Sequence, residues 1–363
     1  MNQAQSSGTV MIMAGGTGGH IFPGLAVARA LKNSGVDVIW LGSEGGMEVK
    51  LVSAQGFSIE SITIKGLRGK GLMSLIKAPV AIAKAVAKAQ NLMRRYNPEV
   101  VVSFGGYTAG PGGIAAYLQG RCLIVHEQNC APGLTNRMLS RLAKKVLTGF
   151  PNSFAHIAHT TVGNPVRAEI SALPAPEIRL QQAHGSLRIL VLGGSQGAKT
   201  INALMPKVFA GMDSQYQFEV RHQSGESLLN ETLAAYQQLH VKAQVEPFIQ
   251  DMAAAYAWAD IVIGRAGALT VSELCAAGVA SILIPLPTAV DDHQAKNADF
   301  LKLHGGGIWF RQDQQLQEQI TMALADFAQH PERVLTMAKA ARAAAFPNAA
   351  TDVAAIIVKE MVR

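Results

Sequence analysis

Cysteine, aromatic residues and charge are all scarce in this 363-residue chain, and each shortage removes a class of protein. The three cysteines, Cys122, Cys130 and Cys275, form no Cys-x-x-Cys pair, so neither a disulfide framework nor a zinc ribbon is encoded and a reducing compartment is expected. Aromatics at 6% offer no stacking surface for single-stranded nucleic acid. Charged residues at 16% against 49% hydrophobic ones lie far from the composition of disorder. No apolar run reaches the roughly 18 residues that a bilayer span needs. Met1 to Gly8 carries no Lys or Arg, which makes no signal peptide. Acids are missing altogether between Lys65 and Arg95, where Lys70, Lys77, Lys84 and Lys88 stand among apolar Leu67, Leu72, Met73, Leu75 and Ile76.

What remains is a chain of mean hydropathy +0.18 with 35 glycines and a formal net charge of +7. At roughly 150 residues per domain it makes about two domains. Apolar runs that end in glycine and pass into helical stretches set the pattern. Residues 10–14 run into Gly15-Gly16-Thr17-Gly18-Gly19-His20 and a helix over 24–32, and residues 187–192 run into Gly193-Gly194-Ser195-Gln196-Gly197 and a helix over 200–212. Further strands are expected at 36–41, 100–103, 123–126, 145–147, 217–221, 261–263 and 281–285. Helices are expected at 75–96, 109–118, 228–239, 270–277 and 294–303. Strands alternating with helices predict an α/β fold of two Rossmann-like domains with parallel sheets. Prolines 165, 174 and 176 mark the seam, which gives domains at 1–165 and 166–345. Pro347 separates residues 346–363, a last helix that can return to the first domain.

A glycine turn between a parallel strand and a helix directs backbone N–H groups and a helix N-terminus at an anion. Neither turn matches the dinucleotide fingerprint or a P-loop, and either could simply tighten strand-to-helix packing. His20 starts a helix at the carboxyl edge of the first sheet, where the helix terminus disfavours the imidazolium and leaves a neutral ring able to take a proton. His126-Glu127-Gln128-Asn129 follows a strand to the same edge as His20 and Tyr107. Glu127 there can hold a hydroxyl or serve as a base, or these residues simply cap the helix beginning near Leu134. In the second half Glu273, one turn into a helix after Gly264-Arg265-Ala266-Gly267, can take both hydroxyls of a ribose. Asp291 and Asp292, being adjacent, point apart, and no metal site is expected.

These segments, in this order and together with Gly133-Leu134-Thr135-Asn136, Gly163-Asn164-Pro165-Val166-Arg167, Phe248 to Met252 and His293-Gln294, resemble the GT-B family of bacterial peptidoglycan N-acetylglucosaminyltransferases over nearly the whole chain. The resemblance implies two Rossmann-like domains facing across a cleft. It implies an inverting transfer of N-acetylglucosamine from UDP-N-acetylglucosamine to the N-acetylmuramyl 4-hydroxyl of undecaprenyl-pyrophosphoryl-N-acetylmuramyl-pentapeptide (lipid I), giving lipid II, without cofactor or metal. On the donor side, Phe248, Ile249 and Met252 would hold the uracil and Glu273 the ribose. Ser195 and the run Ala268, Leu269, Thr270, Val271 and Ser272 would border the pyrophosphate, Arg167 would reach the nucleotide, and Asn129 and Gln294 would touch the sugar. On the acceptor side stand Thr17, Gly18 and Gly19, with His20 as candidate base and Tyr107, Glu127 and Asn136 nearby.

The acid-free segment would rest on anionic membrane lipid at the cytoplasmic face of the inner membrane, a peripheral placement, with cell-wall synthesis or division proteins as further partners. A solvated basic helix is its other reading. A soluble enzyme using UDP-N-acetylglucosamine, such as an epimerase, and a nucleotide-binding regulator remain as alternatives. Nucleic acid is not an expected partner, because aromatics are few and the charge is concentrated in one segment.

Overall fold

The computed structural model describes residues 8–64, 72–180, 185–194 and 197–362. Ser195 and the stretch holding Lys65, Leu67, Arg68 and Lys70 lie outside the described residues, as do the side chains of 72–77. The chain forms two compact units, Met1–Arg167 with Asn348–Arg363, and Ala168–Pro347.

The first unit runs β1 (Thr9–Ala14), α1 (Gly18–Asn33), β2 (Asp37–Ser43), α2 (Met47–Ser53), β3 (Ser58–Ile62), α3 (Leu72–Tyr96), β4 (Val100–Gly105), α4 (Ala109–Leu118), β5 (Cys122–Glu127), α5 (Leu134–Leu139), β6 (Lys145–Thr148) and β7 (Thr160–Thr161). The second contains α6 (Ala168–Ser171), α7 (Pro176–Arg179), β8 (Leu187–Leu192), α8 (Lys199–Ala210), β9 (Phe218–Gln223), α9 (Leu229–Gln238), β10 (Gln244–Glu246), α10 (Met252–Trp258), β11 (Ile261–Gly264), α11 (Ala268–Ala277), β12 (Ala280–Leu283), α12 (His293–Leu303), β13 (Gly307–Trp309), α13 (Leu316–Gln329) and α14 (Pro331–Ala343). The last helix, α15 (Ala349–Met361), belongs to the first unit.

Both sheets are parallel, ordered β3-β2-β1-β4-β5-β6-β7 and β10-β9-β8-β11-β12-β13. Strand order reverses between β1 and β4 and again between β8 and β11, and at such switch points open α/β sheets place their ligands. Alternation along β1 explains why the strand is apolar throughout. Val10, Ile12 and Ala14 pack under α1 and α15 beside Ile21, Leu25, Val353 and Ile357, while Met11 and Met13 pack on the other face with Ala89, Met93 and Ala115. Ile189, Val191, Ile261, Ile263 and Ile282 form the equivalent centre of the second unit.

Helix α1 starts at Gly18, six positions before the sequence-based expectation, and contains Pro23. A proline that early costs one i to i−4 bond without stopping the helix, and the glycines of the turn become its first residues. His20 is therefore the third residue of α1. At the other side of the switch point the β1–β4 register slips between Met13 and Ala14, so that Ala14 pairs with Gly105 and the two glycine turns meet. Among the described residues no helix is long and apolar enough to cross a membrane.

Candidate active site

In the first unit the two turns are built against each other. Gly16 (φ +87°) and Gly106 (φ +92°) occupy the left-handed region, and a Cβ on Gly106 would fall 2.3 Å from the carbonyl oxygen of Gly15. Only glycine permits that approach. His20 turns back over this junction. Its Nδ1 lies 3.1 Å from the Gly15 carbonyl oxygen, which can only accept, so Nδ1 carries the proton and the neutral ring keeps its lone pair on Nε2. Loss of hydration holds the His20 imidazole below its usual range. The charges of Glu127 and Glu48 and the bond to Gly15 partly oppose this. The direction agrees with the sequence-based expectation, whereas the main cause is burial rather than the helix terminus. A Cβ on Gly105 would sit 3.1 Å from the His20 ring. Tyr107 is 54% exposed, and its ring edge lies 3.7 Å from where a Gly16 Cβ would be, so it stands over the first turn. Thr17, Gly18 and Gly19 line the same edge.

The sequence suggested that His126 to Asn129 emerge together at this edge, but the polar residues at the end of β5 are turned inward. His126 is fully buried: Nε2–H donates to the Gly163 carbonyl, Nδ1 accepts from the Gln128 amide, and burial pushes its imidazole down to about 4. Asn164 donates to the Gln128 carbonyl, which fastens the end of β5 to the segment leading out of the unit. Glu127 is likewise buried, and four N–H groups converge on its carboxylate, from the Asn129 backbone and side chain, Gly133 and Asn136. Gly133 immediately precedes α5, so Glu127 works as the capping strut of the loop. A carboxylate surrounded by donors in this way is poorly placed to collect a proton from substrate. Asn136 is a second strut, accepting from the Ser103 hydroxyl and donating to the His126 carbonyl and Glu127. Asn129 sits in the loop that Glu127 shapes. Arg167 places its guanidinium 5.8 Å from the centre of the Phe22 ring, within α1 of its own unit.

In the second unit Gly193 and Gly194 (φ +74°) follow β8, and Gly197 (φ +77°) precedes α8. A Cβ on Gly197 would come within 2.6 Å of the Ser224 carbonyl oxygen, so this turn lies directly on the end of β9. Gln223 there accepts from the N–H of Ile249 at 3.0 Å, fixing a loop in which Ile249 and Met252 are buried and Phe248 is 51% exposed. Beneath it the buried His222 donates from Nε2 to Asn202 and accepts from the Tyr236 hydroxyl at Nδ1. Asn202 in turn donates to the Ser224 carbonyl. Gly267 leads into α11 with extended backbone, so Ala268, Leu269 and Thr270 form its first turn and Val271, Ser272 and Glu273 its second. Glu273 is 5% exposed and accepts from the Tyr256 hydroxyl at 3.0 Å. Gln294 commits its carbonyl oxygen to the N–H of Leu286, so what it offers a sugar is its amide N–H2. Arg265 spends its guanidinium on the carbonyls of Ile284 and Pro285 and on Gln312.

Sequence reasoning did not find Glu48, Gln223 or Tyr256. Each shapes a turn 17 to 32 residues away in the chain, which no local pattern signals.

Comparison with known proteins decides the family. The N-terminal domain of glycosyltransferase family 28 matches residues 10–148 and its C-terminal domain residues 188–353. The chain is 54% identical over 97% of its length, and 96% of the relative's, to the UDP-N-acetylglucosamine--N-acetylmuramyl-(pentapeptide) pyrophosphoryl-undecaprenol N-acetylglucosamine transferase of Xylella fastidiosa strain M12. The chain belongs to glycosyltransferase family 28. The transferase of the same description from Xanthomonas axonopodis pv. citri is also 54% identical, over 97% of this chain and 82% of that one. Among solved structures, MurG of Acinetobacter baumannii superposes with a TM-score of 0.84 at 41% identity, covering 97% of this chain and 99% of that one. A glycosyltransferase of Rickettsia africae, at 14% identity and a TM-score of 0.67 over 99% of both chains, shares the fold. The two family 28 blocks begin on β1 and β8, the strands that carry the two glycine turns.

Proposed function

We propose that this family 28 chain transfers N-acetylglucosamine from UDP-N-acetylglucosamine to the muramyl 4-hydroxyl of lipid I, with inversion, to give lipid II. The 54% identity to a transferase so described, over nearly the full length of both chains, carries the reading. The acceptor oxygen attacks the anomeric carbon as the bond to UDP breaks, and the acceptor proton passes to His20 Nε2. His20 fits this task better than Glu127, since its tautomer is fixed by Gly15 and its ring is neutral. Tyr107, Thr17, Gly18 and Gly19 border the acceptor, with Asn136 and Glu127 shaping the loop behind them. In the second unit Phe248, Ile249 and Met252 hold the uracil and Glu273, oriented by Tyr256, takes the ribose hydroxyls. Ser195, the start of α11 from Ala268 to Ser272 and Arg167 stabilise the departing UDP. Asn129 and Gln294 contact the transferred sugar.

Because the acceptor is anchored in lipid, the basic segment from Lys65 to Arg95 rests on anionic lipid at the cytoplasmic face of the membrane. Exposed Val80 and Lys84 on α3 support this placement. Proteins of cell-wall synthesis or division are further candidate partners.

The test is transfer of labelled N-acetylglucosamine to a short-chain lipid I analogue with a chelator present. The expected result is transfer that survives chelation, a kcat about a hundredfold lower for His20→Ala and a raised donor KM for Glu273→Ala. A protein that binds UDP-N-acetylglucosamine and transfers nothing would replace this reading with the epimerase one.

A further inference from the structure

Glu48, the second residue of α2, is a fully buried carboxylate in the first unit. Among the described residues no cation pairs with it. Its Oε1 accepts from the backbone N–H of Ser43 at 2.8 Å and from the Ser43 hydroxyl, and its Oε2 accepts from the N–H of Gly16 at 3.2 Å. Burial pushes its carboxyl up, but these hydrogen bonds and one from its own N–H more than offset that and hold it below the usual carboxylate range. Space is reserved for it as well. A Cβ on Gly15 would lie 2.5 Å from Oε1, one on Gly46 2.4 Å from it, and one on Gly42 2.9 Å from the Glu48 Cγ.

Gly16 is the turn residue at φ +87°, and Gly15, next to it, supplies the carbonyl that receives His20 Nδ1–H. The carboxylate therefore holds the N–H end of the Gly15–Gly16 peptide unit, whose carbonyl end fixes the imidazole. We propose that Glu48 is a positioning residue for the transfer: by accepting from Gly16 N–H it sets the first glycine turn so that Gly15 orients His20 with Nε2 toward the acceptor hydroxyl. This rests on the reading of His20 as the base. Glu48 touches neither substrate and acts through the turn. Its negative charge also favours the imidazolium that forms when the proton arrives.

The test compares wild type, Glu48→Gln, Glu48→Asp, His20→Ala and the double variant Glu48→Gln/His20→Ala in the lipid I transfer assay, with folding followed by thermal melting. For Glu48→Gln the expected kcat is about tenfold lower, with donor KM within about twofold of wild type. The acidic limb of its kcat–pH profile moves to lower pH, because the imidazolium has lost a favourable charge. In the His20→Ala background the same substitution costs nothing further. Glu48→Asp keeps the charge and recovers the position of the limb while kcat stays below wild type. A folded Glu48→Gln with wild-type kcat and limb, or a full extra loss in the His20→Ala background, overturns the proposal. Should Glu48→Gln not fold, a Glu48→Asp variant with wild-type kcat overturns it instead. If His20→Ala transfers as well as wild type, the assignment of the base falls, and the role of Glu48 with it.

Discussion

At the scale of single residues the site divides into groups aimed at substrate and groups that hold them. In the proposed reading Glu273 is of the first kind and Tyr256 of the second. The Tyr256 hydroxyl is buried against the Glu273 carboxylate and donates to it, which would orient the carboxylate for the ribose in the proposed reading. Tyr256→Phe removes only that hydroxyl. We expect donor KM to rise about five- to tenfold with kcat little changed, since a hydrogen bond to a charged group is worth roughly 1.5–3 kcal/mol and part of it is recovered by solvent. Initial-rate kinetics with varied UDP-N-acetylglucosamine decide this. A lowered kcat at unchanged KM would place Tyr256 in the chemistry rather than in donor binding. The placement of Glu273 was legible, because a strand, a glycine turn and a helix start follow in unbroken order from Ile261 to Glu273. The acceptor side was only partly legible. The apolar run of β5 ends in polar His126 and Glu127, which makes them look like groups emerging at the sheet edge, and only the folded chain shows His126 and, in α5, Asn136 turned inward to hydrogen-bond backbone carbonyls.

At the scale of elements, α15 is the most informative piece, because it is last in the chain and part of the first unit. Val353, Ala354 and Ile357 complete the apolar layer over β1 and β4 beside Ile21 and Leu25 of α1, the helix that carries His20. Ile357→Ala leaves a cavity in that layer, and we expect a loss of about 2–5 kcal/mol in the stability of the first unit. Urea unfolding monitored in that unit is the check, and an unchanged midpoint would mean that α15 is dispensable for the layer. The long apolar strands and the helices between them could be read from period and glycine punctuation alone. Short edge strands such as β3, β10 and β13 could not. They are three to five residues long and half exposed, and pairing with a neighbouring strand rather than their own composition defines them. Helix α1 begins six residues before the stretch 24–32 expected from sequence, and packing of Ile21 and Leu25 carries it across Pro23.

At the scale of the whole molecule, charge and protonation link stability to setting. His126 and His222 are buried neutral in separate units, with burial pushing the first down to about 4 and the second to about 3. An unfolded histidine titrates near 6.5, so between that value and the folded one the unfolded chain binds more protons, and stability is full above about pH 6.5 and falls as pH drops. For His126 the loss by pH 4 is on the order of 3 kcal/mol. Denaturation midpoints measured from pH 7.5 to 4.5 are expected to fall steadily, and His126→Gln is expected to flatten that slope for the first unit. The +7 net charge acts on a longer range. It is concentrated in the acid-free segment, so binding to vesicles of anionic lipid is expected to be strong at low salt and to weaken as counterions screen it over a Debye length of about 10 Å at 0.1 M. Neutralising Lys70, Lys77 and Lys84 together removes three of these charges, and at about 1 kcal/mol for each lysine near the surface it should lower vesicle affinity by about a hundredfold. If these lysines serve lipid contact and not chemistry, the same variant should keep its kcat on a short-chain acceptor free in solution. Co-sedimentation with anionic and neutral vesicles at two salt concentrations separates the outcomes: equal binding by wild type and triple variant would leave the segment as a solvated basic helix. Transfer lost in solution as well would put the lysines in the acceptor site itself.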